Sequence, residues 1–302
     1  MKNRIFNLAL CSFLLAACTA TSNQTSTANL GRESNNAALI ESLEKPGLIR
    51  FEKIAVANWQ VPLSGLLNLD HPKAISAGLI DKEEDIQLFL YVLTHHSKGT
   101  FLIDSGISER FIDAENNEDV SFIVKKAMNL SNIEVIKSTK EIVNSIGSIN
   151  GVFLTHIHLD HIMGLLDVAP GVPVFTGPGD ASSEMLTHAA SRGSTDRLLA
   201  NAGTLREWQF GPQGIVDVFG DGALWALHVP GHTPGATAYL ANTASGPQLM
   251  IGDATHTRWG WDNQVEPGSY TKDIPQSVKS LARLAVLVSD HPKINVHPGH
   301  QP

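Results

Sequence analysis

One segment constrains this chain more than any other: Thr155-His156-Ile157-His158-Leu159-Asp160-His161. It places four potential metal ligands within six residues. The run Gly151 to Thr155 before them reads as a short buried strand. Extended chain points residues two apart to the same side, so His156 and His158 present their imidazoles together. Asp160 and His161 then open a predicted helix, Asp160 to Val168, that Pro170-Gly171 ends. From there they can turn back toward the first two histidines. Three His and one Asp suit Zn²⁺, which accepts imidazole nitrogen and carboxylate oxygen. A single ion seldom uses four ligands this close in sequence, so the spacing predicts two. A strand-to-helix junction is where α/β folds gather ligands, which weighs against a chance cluster of histidines.

Sulfur has no part in such a site. Of 302 residues, 13 are His and only two are Cys, Cys11 and Cys18. Both belong to an export signature. Lys2 and Arg4 precede a mostly apolar run, Ile5 to Ala17, which is too short to span a bilayer as a helix. It ends Leu15-Ala16-Ala17-Cys18, which resembles a bacterial lipobox, where the Cys is acylated and the bond before it is cut. Residues 1–17 are thus expected as a lipoprotein signal peptide and Cys18 as its lipidation site. Two or more acyl chains make a stable anchor. Residues 18–36, rich in Thr, Ser, Asn and Gln, read as a flexible tether, and 37–302 as a single folded domain. Thr19 follows the Cys where an inner-membrane retention signal would place Asp. By resemblance to Gram-negative sorting rules, this implies the outer membrane, facing the periplasm. Formal charge is −8, and cleavage removes two further cations. An acidic chain without a basic patch argues against nucleic acid as a partner.

Downstream, strands and helices alternate. Ile86 to Leu93 and Thr100 to Asp104 read as a hairpin turning at Lys98-Gly99. Phe122 to Leu130 and Ser138 to Ser145 read as helices. Strands are expected at Val172–Thr176, Ala223–Val229, Ala236–Ala241, Gln248–Ile251 and Lys293–Val296. Ala181 to Asn201 is expected as a helix, broken near Gly193, that could form a lid. Val278, Leu281, Leu284, Ala285 and Val288 give Ser277 to Ser289 an amphipathic helical period. The pattern predicts the layered α/β class.

The His-x-His-x-Asp-His segment resembles the signature of the metallo-β-lactamase superfamily, and the resemblance continues along the chain. Asp104-Ser105-Gly106 is similar to its early Asp-x-Gly strand end. Pro230-Gly231-His232-Thr233-Pro234-Gly235 is similar to the loop carrying the next His ligand. Ile251-Gly252-Asp253 resembles the strand end whose Asp bridges two metals, and Pro298-Gly299-His300 the terminal Gly-His. The resemblance implies a four-layer αββα sandwich. It implies one Zn²⁺ on His156, His158 and His232, a second on Asp160, His161 and His300, and Asp253 between them, with Fe or Mn as alternative metals. His297 competes with His300 for the last position, and Gly299-His300 is the family pattern. His228 is a candidate for bracing a ligand by hydrogen bond.

The implied chemistry is hydrolysis. Two ions lower the pKa of a bridging water, the hydroxide attacks a lactone or carboxyl ester, and Asp160 carries the proton to the leaving group. Asp253 separates this chain from true β-lactamases, which lack that carboxylate. His256 stands where lactonases of N-acyl homoserine lactones carry Tyr, and could donate a hydrogen bond to the substrate oxygen. Trp259 and Trp261 could line an acyl pocket. A phosphotriester or phosphodiester hydrolase is the second reading. A non-catalytic envelope lipoprotein that kept the fold is the third. The expected partner is a small-molecule ester or lactone; the sequence sets no oligomeric state.

Overall fold

A computed structural model describes residues 19–45, 47–184 and 188–302; the expected signal peptide and Cys18 lie outside them. The strands are β1 (Thr25–Thr27), β2 (Arg32–Glu33), β3 (Ile49–Pro62), β4 (Glu83–His95), β5 (Gly99–Ile103), β6 (Glu134–Val135) and β7 (Gly151–Phe153). They continue with β8 (Val174–Thr176), β9 (Leu205–Glu207), β10 (Ile215–Asp217), β11 (Leu224–His228), β12 (Thr237–Ala241), β13 (Gln248–Met250) and β14 (Asn295–His297). β4 shows why the central strands read as unbroken apolar runs. Leu88, Leu90 and Val92 bury one face and Phe89, Tyr91 and Leu93 the other. A strand covered on both sides needs apolar side chains at successive positions.

Two sheets result, in the orders β1-β9-β8-β7-β5-β4-β3-β6 and β14-β13-β12-β11-β10-β2. The first is mixed: β3, β4 and β5 are antiparallel, while β5, β7, β8 and β9 run parallel. Between the sheets lies an aromatic core that includes Phe101, Phe153, Phe175, Trp208 and Tyr239. Trp208 donates its indole N–H to Tyr239 Oη at 2.9 Å, and Tyr239 donates to the carbonyl of Leu154 at 3.0 Å. That buried chain links the inner faces of the two sheets just below the ligand segment.

The outer faces carry the helices. Ile142 and Leu198 cover the first sheet, and Leu39, Leu281 and Leu284 the second. The architecture is the expected αββα sandwich. The helix Thr139–Ile146 starts at a capping box, with Ser138 and Glu141 bonding each other's backbone N–H. Ile274–Asp290 starts at Asp273, whose carboxylate accepts from Gln276 N. Its buried stripe is Ser277, Ser280, Leu281 and Leu284; Val278, expected inside, is 44% exposed. Small residues there let the His232 loop approach. Gly231 has φ +142, and a Cβ on it would lie 2.4 Å from the Ser277 backbone. The helix expected over Ala181 to Asn201 with a break near Gly193 is instead unbroken at Gly193 and is described as His188–Leu198.

The segment expected as a tether is a correction from Thr19 onward. β1 pairs parallel with β9 at one edge of the first sheet, and β2 pairs antiparallel with β10 at the edge of the second. Its Thr, Ser and Asn side chains are polar because they sit at edges and bond neighbours. That gives them no apolar period to read.

Candidate metal centre

The ligand segment leaves β7 at Phe153 and enters a short helix, Leu159–Ile162. Two groups of donor atoms converge above it: His156, His158, His232 and Asp253, and Asp160, His161, Asp253 and His300. Within each group the donor atoms all lie within 4.8 Å of one another. Asp253 belongs to both. Its Oδ2 is 3.6 Å from His156 Nε2, 3.3 Å from His232 Nε2 and 3.5 Å from His161 Nε2. Its Oδ1 is 3.4 Å from His300 Nε2. Asp160 Oδ2 stands 3.3 Å from His300 Nε2 and 3.6 Å from His161 Nε2. Ligand atoms about 2.1 Å from a tetrahedral ion lie about 3.4 Å apart, so the separations match the edges of such a polyhedron. Among the described residues, His156 Nε2, His161 Nε2 and Asp253 Oδ1 are buried without a hydrogen-bond partner. Orphaned buried polar atoms are costly unless a further group satisfies them. The residues present therefore fit a pair of metal ions.

The second ring nitrogens of His161, His156, His232 and His300 are held. His161 Nδ1 meets Asp104 Oδ2 at 2.8 Å, His156 Nδ1 meets Thr155 Oγ1 at 3.1 Å, and His232 Nδ1 meets Thr271 Oγ1 at 3.2 Å. His300 Nδ1 faces the Gln87 carbonyl at 3.1 Å. Such contacts fix ring orientation and raise ligand basicity. Asp104 also accepts from Thr155 N at 2.7 Å and sits at φ +53, a strained position for a residue with a side chain. Asp180 ties two ligand loops together, accepting from Ile157 N at 2.9 Å and Gly235 N at 3.2 Å. Burial pushes its carboxyl up to about 6. His228 braces the same loop by donating to the Pro234 carbonyl at 2.9 Å.

Charge divides the centre. Burial holds His156 and His232 well below their ordinary value and His158 at about 4, so all three are neutral and ready to ligate. Burial acts the same way on His161 and His300, but Asp104, Asp253 and Asp160 outweigh it at His161, and Asp253 with Asp160 at His300. Both are held above the usual histidine range. That half of the centre attracts positive charge, whether protons or a metal ion. Burial would raise Asp160, yet His161 and His300 hold it below the usual carboxylate range.

All seven residues expected as ligands therefore meet at one place. His297 does not: its Nε2 bonds Gln248 Oε1 at 2.9 Å and its ring packs on Phe51. His300 reaches the centre because Gly299 precedes it; a Cβ there would lie 2.1 Å from Asp253 Oδ1. His256 joins the site, with Nδ1 donating to the Leu66 carbonyl at 2.9 Å and Nε2 3.1 Å from Asp253 Oδ2. Trp259 and Trp261 do not line it. Trp261 is buried among Leu281 and Leu284, and Trp259 packs on the opposite core. The tryptophan in the pocket is Trp59, from β3, which the sequence reading overlooked along with Tyr270. The pocket above the centre has a volume of about 380 Å³. Leu66, Ile86, Met128 and Leu159 give it apolar walls, and His188, Ser191 and Thr195 of the helix His188–Leu198 form one side.

A sequence profile of the Metallo-beta-lactamase superfamily matches residues 87–300. The chain belongs to that superfamily. It is 30% identical over 170 residues to the N-acyl homoserine lactonase AttM of Azorhizobium caulinodans, half of this chain and 57% of that protein. The chain thus spans little more than half the length of this relative. Among solved structures, a quorum-quenching N-acyl homoserine lactone lactonase superposes with TM-score 0.59 at 18% identity, covering 84% of this chain and 93% of the other. AidC, a dizinc quorum-quenching lactonase solved with N-hexanoyl-L-homoserine as product, superposes with TM-score 0.54 at 15% identity, covering 91% and 92%. At these identities the superpositions establish the fold. This superfamily member has His/Asp clusters suited to metal, and it shares the fold of those lactonases.

Proposed function

We propose that this hydrolase is a binuclear zinc enzyme that opens lactones or cleaves related carboxyl esters, with an N-acyl homoserine lactone as the type of substrate. The observation that carries the reading is the double donor cluster sharing Asp253 at the floor of an apolar pocket. A lactone with an acyl tail offers a polar ring for the floor and an alkyl chain for the walls. The activity named for AttM supports the same reading.

When bound, the two ions supply a water of lowered pKa and polarisation of the substrate carbonyl. The chain's own residues do the rest. Asp160, held ionised beside His161 and His300, takes the proton of the attacking water and returns it to the departing alkoxide. His256, fixed by the Leu66 carbonyl, stands beside Asp253 at the pocket floor to orient the substrate oxygen. Leu66, Ile86 and Leu159 exclude bulk water from the reacting carbonyl.

The test joins metal analysis to a substrate panel of acyl-homoserine lactones, aryl esters, a phosphotriester, a phosphodiester and a β-lactam. Two metal equivalents and lactone or ester turnover are expected. His158→Ala and Asp160→Ala are each expected to lose metal and at least 100-fold in kcat/KM together. A single equivalent in wild type, or turnover confined to the phosphoesters, would overturn the assignment. We also propose export and anchoring through Cys18; Cys18→Ala should abolish acylation seen by mass spectrometry of the N-terminal peptide.

A further inference from the structure

We propose that Thr19–Asn23 forms a wall at the acyl end of the pocket and sets the chain length it accepts. This rests on the reading of the pocket as an acyl site. The segment lies outside the stretch 87–300 that carries the superfamily match. Ala20 is 6% exposed and faces the cavity. The same cavity is lined by the apolar Met128, Ile157 and Leu159 and by Ser191 and Thr195 of the helix His188–Leu198. The apolar part of this lining suits an alkyl chain.

The wall is held firmly for so polar a segment. Thr21 Oγ1 donates to Asp196 Oδ1 at 2.6 Å, and Ser22 donates through N and Oγ to the same carboxylate at 2.7 Å each. Thr21 N reaches the Ala181 carbonyl at 3.3 Å, and Asn23 Nδ2 the Gly203 carbonyl at 3.0 Å. Thr19 pairs with Glu184. One carboxylate taking three donors clamps the segment to the helix that forms the neighbouring side. A side chain larger than methyl at position 20 therefore enters the cavity instead of pushing the wall outward.

The experiment uses saturated fatty acids of four to twelve carbons as probes, with binding measured by calorimetry. Hydrolysis of the matching acyl-homoserine lactones is measured alongside. Wild type is expected to bind the longer acids more tightly. In the graded series Ala20→Val, Ala20→Leu and Ala20→Trp, the ratio of C12 to C4 affinity should fall stepwise, at least tenfold by Trp. Asp196→Asn, which loosens the clamp, should also shift the ratio. If the largest variant fails to fold, Val and Leu still report. A ratio that stays within twofold across the series, or wild type that ignores chain length, overturns the proposal. A ratio that shifts while no lactone is hydrolysed retains the wall and removes the lactonase reading.

Discussion

Asp104 and His161 are 57 positions apart and 2.8 Å apart in space. Removing the charge of that partner should weaken one half of the centre selectively. Asp104→Asn is expected to lower affinity for the ion on Asp160, His161 and His300 by about 10- to 100-fold. The ion on His156, His158 and His232 should be retained. Competition against a chromophoric chelator separates the two; equal loss at both would refute a local role. His297 makes a second prediction. Burial, with Lys53 and Arg258 adding to it, lowers its pKa from 6.5 to about 4 in the folded chain. The unfolded state thus binds more protons between those values, and stability falls as pH drops through that window. Between pH 7 and 5, His297→Gln should lose less stability than wild type by about 2 kcal/mol; equal losses in urea titrations would contradict this. Such residues mark the limits of sequence. His156 to His161 were legible because their ligands are neighbours in the chain. What Asp104 does, and why Trp59 rather than Trp259 enters the pocket, depends on contacts between distant segments.

Elements buried on both faces, such as β4, β11 and β12, announced themselves as apolar runs. The half-exposed β3 and the three-residue β9 and β10 did not, since their pairing comes from partners and not from their own periodicity. The contact between the sheets was also unreadable, and it bears a prediction. Tyr239→Phe would leave the Trp208 indole N–H and the Leu154 carbonyl unpaired in the core. A loss of about 1–3 kcal/mol is expected in denaturant titrations, with metal content unchanged. Loss of metal as well would mean that the Leu154 carbonyl also sets the ligand segment.

On the scale of the whole molecule, the αββα order followed from the resemblance. The N-terminal closure of both sheets did not, because polar edge strands look like linker. Deleting residues 19–33 would bare β9 and β10, and unpaired edges invite association. A lower melting temperature and concentration-dependent aggregation are expected by light scattering; an unchanged, monodisperse melt would count against it. The same closure has a consequence in time. Thr25 pairs with Leu205 and Arg32 with Asp217, so the strap is synthesised long before its partners exist. Chain that emerges in order must keep this segment loose until most of both sheets is made. Among the first parts of the domain to be built, it is thus among the last to be placed, and until then two sheet edges stand open.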